Sequence, residues 1–106
     1  MIVELRTYRL KTGTRERFFD IFRAKTMPEH NRLGMPILGP LLSIEDADVF
    51  FFMRGFCDEA SREPTKARFY DGKLWKDELE EIMMPMIERY DVVVVDDSQD
   101  RLGWDA

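Results

Sequence analysis

The sequence predicts an α+β fold in the order β-α-β-β-α-β, and three observations carry that prediction. Apolar and polar residues alternate with a period of two in MIVELRTYRL at the start of the chain, and VFFFMRGF and RYDVVVVDD follow as further strand candidates. Phe18, Ile21 and Phe22 recur at helical spacing after the first strand. Trp75, Leu79, Ile82 and Met83 do the same before the last one.

The first strand, spanning roughly residues 2–10, ends at Lys11-Thr12-Gly13. Thr14 fits a helix N-cap, its hydroxyl accepting from the first free amides. The helix from Arg15 is expected to end or kink at Pro28, which lacks an amide and crowds the preceding turn. His30 then falls just beyond the break, in an exposed loop. Met35 to Ser43 reads as a second strand interrupted by Gly39-Pro40, which places it at an edge or a bulge. A turn at Ile44–Asp48 joins it to VFFFMRGF as an antiparallel hairpin.

Asp58 is an N-cap candidate for a helix over Glu59 to Asp71, with Pro64 expected in its first turn. Asp71-Gly72 breaks that run, and Pro85 closes the Trp75 segment. The four valines of the last strand suggest burial on both faces or a central place in the sheet. Residues 98–106 form a tail that is polar apart from Leu102 and Trp104. This order is the split βαβ of ferredoxin-like folds, with strands one and three central in a four-stranded antiparallel sheet.

Composition narrows the function classes. The 106 residues suit one domain. A net charge of −5 lacks the basic stripe of a nucleic-acid groove. No apolar run reaches the roughly 20 residues of a membrane span, and no signal peptide is visible. A cytoplasmic location is therefore expected. Cys57 is the only cysteine, so no internal disulfide is expected, and without a histidine partner in sequence reach it makes a poor nucleophile. With one histidine there is no visible metal-ligand set, and no cofactor is expected. Met83, Met84 and Met86 read as core filler, and Asp96, Asp97 and Asp100 as a solvated strand end.

Helices cover one face of a ferredoxin-like sheet and leave the other bare. By parity, Val3 and Leu5 are assigned to the helices, which sends Glu4, Arg6 and Tyr8 to the bare face. Phe50, Phe52, Arg54 and Phe56 are assigned there too, and Val49, Phe51, Met53 and Gly55 to the helices. Charges among phenylalanines must pair or bind something, because their desolvation is costly.

ELRTYRLKTG, LGPLLS, FMRGFCDEASR and FYDGKLW together resemble the NIPSNAP family over most of residues 3 to 76. The family usually has proline where this chain has Thr12 and tryptophan where it has Met53. Arg62 and Trp75 match an arginine and a tryptophan of the family, and packing roles are expected for both. The resemblance implies a homodimer made by packing sheet on sheet, a dimeric α+β barrel. The wider superfamily holds cofactor-free monooxygenases, haem-degrading enzymes, muconolactone isomerases and chlorite dismutases. NIPSNAP-like proteins themselves have no settled activity.

Two functional readings follow. In the first, Glu4, Arg6, Tyr8, Phe52, Arg54 and Phe56 form a small-molecule site, between sheet and helices or at the dimer interface, for an aromatic, enol or acidic ligand. If that site is catalytic, the reaction is a cofactor-independent oxygenation or isomerisation. Tyr8, Arg6 or Arg54 would steady an oxyanion, and His30 would move a proton. In the second, the protein is a non-enzymatic dimer whose strand-one charges set register between copies. Tyr8 would donate to the ligand in the first reading, or pair with a structural acceptor, of which Glu4 is the best nearby, in the second.

Overall fold

The computed structural model describes residues 1–104. Its four-stranded antiparallel sheet has the order β2-β3-β1-β4, from β1 (Ile2–Leu10), β2 (Ile37–Leu42), β3 (Val49–Phe56) and β4 (Ile87–Asp96). The central pair aligns Glu4 with Arg54, Arg6 with Phe52 and Tyr8 with Phe50. As expected, β2 is an edge strand, and its register with β3 shifts between Leu38 and Leu41, around Gly39-Pro40. The valine strand is not central. It is the other edge, with Val93 and Val94 at 57% and 43% exposure.

The first helical unit is α1 (Arg15–Ile21), a π-helical segment (Phe22–Thr26) and α2 (Met27–Arg32). Pro28 therefore does not end it. In the π turn the Met27 amide reaches back five residues to the Phe22 carbonyl. Pro28 then sits at the start of α2, where no amide is required. His30 is accordingly helical and buried rather than exposed in a loop. Thr14 occupies the N-cap position, but its hydroxyl donates to the Lys11 carbonyl at 2.7 Å instead of accepting from the helix.

The second unit is α3 (Glu59–Tyr70), a π segment (Trp75–Leu79), α4 (Glu80–Met83) and a 3₁₀ turn (Met84–Met86). Asp58 caps α3 as expected, accepting from the Ser61 amide at 2.8 Å in a reciprocal box. Pro64 lies inside α3, not in its first turn; it and Ala60, whose carbonyl loses a partner, are both exposed to water. Lys25 pairs with Glu78, tying the two π segments together.

The core lies between these units and one sheet face. Tyr8, Phe50, Phe52 and Phe56 meet Phe18, Phe22, Phe69, Trp75 and Leu79 there. Phe22 lies 4.7 Å from Phe52, and Phe18 lies 4.9 Å from Phe50, between ring centroids. The parity assignment is thus inverted: the set carrying Glu4, Arg6, Tyr8 and Arg54 faces the helices. Leu5, Phe51, Met53 and Val93 take the outer face. The reason lies in the helices, which bring polar partners inward, Arg62 and Lys66 to Glu4 and His30 and Tyr70 to Arg54.

At one end of the outer face a Cβ on Gly55 would fall 2.8 Å from the Trp104 ring, so the tail lies on the sheet there. Asp97 is buried rather than solvated: its carboxylate accepts from the amides of Arg101 and Leu102 at 2.8 and 3.0 Å. The last two residues of the expected tail, 105 and 106, lie outside the described residues. Met83 and Met86 fill core space as expected, whereas Met84 is 45% exposed. No helix among the described residues is long and apolar enough to cross a membrane.

Candidate ligand-binding cleft

Glu4 is the electrostatic centre of the inner face and is fully buried. Its Oε1 accepts from Arg54 Nε at 2.8 Å and from Arg6 Nη1 at 2.9 Å, both carried by the sheet. Its Oε2 pairs with Arg62 at 3.0 Å and Lys66 at 3.1 Å, both carried by α3. One carboxylate therefore joins the central strands to a helix. Burial alone would raise its pKa, but Arg54, Lys66 and Arg6 outweigh that and hold it down at about 2. Glu4 is an anion at any pH where the fold operates.

Arg54 is 1% exposed and divides its donors among three partners. Nε serves Glu4, while Nη1 reaches His30 Nε2 at 3.0 Å and the Tyr70 hydroxyl at 2.9 Å. Nη2 is buried with no hydrogen-bond partner among the described residues. An orphaned guanidinium nitrogen in the interior is costly.

The His30 tautomer follows from its neighbours. Nδ1 faces the Thr26 carbonyl at 2.9 Å and must donate, since a carbonyl only accepts. Nε2 is then the lone pair that accepts from Arg54. Burial, joined by the Arg54 charge, lowers its pKa to about 4, so the ring is neutral. His30 thus has no free basic nitrogen with which to move a proton. It fixes the orientation of Arg54.

Arg6 donates through Nε to the Tyr8 hydroxyl at 3.2 Å. Tyr8 therefore pairs with Arg6, not with Glu4 as expected. The Arg6 guanidinium also lies 5.4 Å from the Tyr90 ring centre and 5.6 Å from that of Tyr8, within cation–π range. Burial, with Tyr70 nearby, raises the Tyr8 pKa, so the phenol stays protonated. Neither Tyr8 nor Tyr70 donates its hydroxyl proton to a protein acceptor among the described residues.

These groups line a cleft of about 380 Å³ between the sheet and the helical units. Arg6, Tyr8, Phe52, Arg54 and His30 reach it, so most of the predicted site residues come together. Glu4 lies behind the arginines, and Phe56 packs in the core away from the cleft. Phe22, Phe69, Met83 and Trp75 form apolar walls, while Lys76, Glu80, Met84 and Tyr90 are its exposed lining residues. The cleft presents donors and aromatic surface, which suits an anion or carbonyl oxygen on a flat apolar frame. No group of three or more metal-ligating side chains is assembled among the described residues.

The sequence reading missed Lys66 and Tyr70 as site residues and gave Arg62 only a packing role. The signal was present. Arg62, Lys66, Phe69 and Tyr70 fall at helical spacing on one face of α3, which buries little apolar surface of its own. A helix that covers a sheet with such a face needs an acidic partner beneath it, and Glu4 is that partner.

No family model matches this chain, and no curated protein matches it either. Solved structures do. An uncharacterized NIPSNAP domain protein from Burkholderia xenovorans is similar with a TM-score of 0.79 and 20% identity, over 91% of this chain and 93% of that one. A NIPSNAP family protein of unknown function from Agrobacterium tumefaciens gives 0.77 and 23%, over 90% and 86%. The chain has the NIPSNAP-domain fold. This agrees, at the level of fold, with the resemblance carried by the sequence motifs. The NIPSNAP-like architecture extends to an antibiotic biosynthesis monooxygenase, with a TM-score of 0.67 and 13% identity over 91% of this chain and 97% of that one.

Proposed function

We propose that this NIPSNAP-like chain binds a small aromatic or enolic acid in the cleft between sheet and helices. One observation carries the reading: Arg54, a lining residue of the cleft, leaves Nη2 buried without a partner, and the Tyr8 and Tyr70 hydroxyls of the same lining have protons to give. An anionic oxygen would satisfy all of them, and Phe22, Phe52 and Phe69 would hold the frame. Binding stabilises whatever state it selects, so melting temperature reports it. Aromatic and enolic acids are expected to raise the Tm of the wild type and to leave Arg54→Gln unchanged. Equal shifts in both proteins would overturn the proposal.

A second reading, cofactor-independent oxygenation or isomerisation, is favoured by the fold likeness to the monooxygenase. In it, Arg54, Arg6 and Tyr8 steady negative charge as it builds on an enolate oxygen. His30 positions Arg54, the enol proton passes to solvent water, and in the oxygenation branch dioxygen is the co-substrate that supplies the oxygen and takes up the electrons. Turnover of an aromatic enol that persists in Arg54→Gln would contradict it. The proposal includes a cytoplasmic homodimer, with a second copy on the outer sheet face. Charges that face the helices no longer support the alternative in which they set the register between copies.

A further inference from the structure

We infer that the cleft selects singly charged anions over dianions, because its buried ions leave one positive charge uncompensated. This rests on the ligand-binding reading above and specifies the charge of the ligand. Two buried guanidiniums, Arg6 and Arg54, share the single buried carboxylate of Glu4, and both use the same oxygen of it. The other oxygen is taken by Arg62 and Lys66. Those two are nearer to solvent and carry their own counter-charges, Glu59 at 3.2 Å from Arg62 and Glu63 at 3.5 Å from Lys66. They add little net charge to the interior. His30 is neutral and adds none.

One carboxylate or enolate therefore balances the site. Its first oxygen meets Arg54 Nη2, and the tyrosine hydroxyls serve its remaining lone pairs. A phosphate monoester or a second carboxylate would carry an extra charge into a place walled by Phe22, Phe52 and Phe69. Lys66 also lines the cleft but is already paired with Glu4 and Glu63, so no unpaired cation remains to meet that charge among the phenylalanines, and an unpaired buried charge is strongly disfavoured. A neutral amide of the same shape would leave the positive charge unbalanced.

The test is a calorimetric titration of the wild type with benzoate, benzamide, isophthalate and phenyl phosphate at about pH 8, where the phosphate monoester is doubly charged. Benzoate is expected to bind at least about tenfold tighter than each of the other three. If isophthalate or phenyl phosphate binds as tightly as benzoate, the charge inference falls and the ligand-binding reading survives. If benzamide matches benzoate, the inference likewise falls. If none of the four binds, both fall.

Glu4→Gln supplies a second arm, since it leaves two positive charges uncompensated. The variant should shift preference toward phenyl phosphate, and an unshifted preference in folded Glu4→Gln protein would overturn the inference. Should Glu4→Gln fail to fold, the wild-type series alone decides.

Discussion

His30 donates through Nδ1 and accepts through Nε2, so taking up a proton breaks its bond to Arg54 and sets two buried cations side by side. The consequence is a pH dependence of stability whose sign can be worked out. The unfolded chain protonates His30 near 6.5, while the folded chain resists until about 4. Between those values the unfolded state binds more protons, so stability falls as pH drops. The effect amounts to roughly 3 kcal/mol across the window. Glu4 adds a fall of the same sign from 4.5 toward about 2. Because His30 is the only histidine, the upper part of the window isolates it. Urea unfolding from pH 7 downward should show the decline, and His30→Asn should flatten it above pH 4.5. Constant wild-type stability over that range would contradict the bond pattern. That Glu4, Arg6, Tyr8 and Arg54 cluster was legible from strand parity. The role of His30 was not, because Pro28 looked like a helix stop and the π turn that relieves it has no residue signature.

At the scale of elements, the strands were more legible than the faces they present. Period-two alternation located β1, the apolar run VFFFMRGF located β3, and Gly39-Pro40 marked β2 as an edge. Four valines, however, fit an exposed edge as well as a buried centre when an apolar partner surface is available. Helix starts were legible where chemistry is strict, as in the Asp58 box, and less so at Thr14, whose hydroxyl turns back to Lys11. The face assignment failed because it weighed apolarity along the two central strands and left out the Arg62-Lys66-Tyr70 stripe of α3. The inversion leaves Leu5, Phe51, Met53 and Val93 outward, with Val93 57% exposed. An apolar sheet face of this kind suits the proposed second copy. Sedimentation should find the wild type dimeric and Phe51→Asp monomeric, with Phe51→Asp retaining its folded far-UV spectrum. A monomeric wild type would remove the dimer from the proposal.

Across the whole molecule, the β-α-β-β-α-β order fixed the sheet neighbours and hence which charges meet, so topology carried further than residue type. Topology could not show that the cleft lies within one chain. That depended on how the side chains of the sheet and the helical units fill the space beside Arg54. On the proposed reading the molecule separates its tasks, with polar recognition inside and an apolar face for a second copy outside. The most direct test is a crystal structure of the wild type grown with benzoate. The expected result places the carboxylate within hydrogen-bonding distance of Arg54 Nη2, with the ring among Phe22, Phe52 and Phe69. A cleft closed by its own side chains, or benzoate bound only on the outer face, would contradict it.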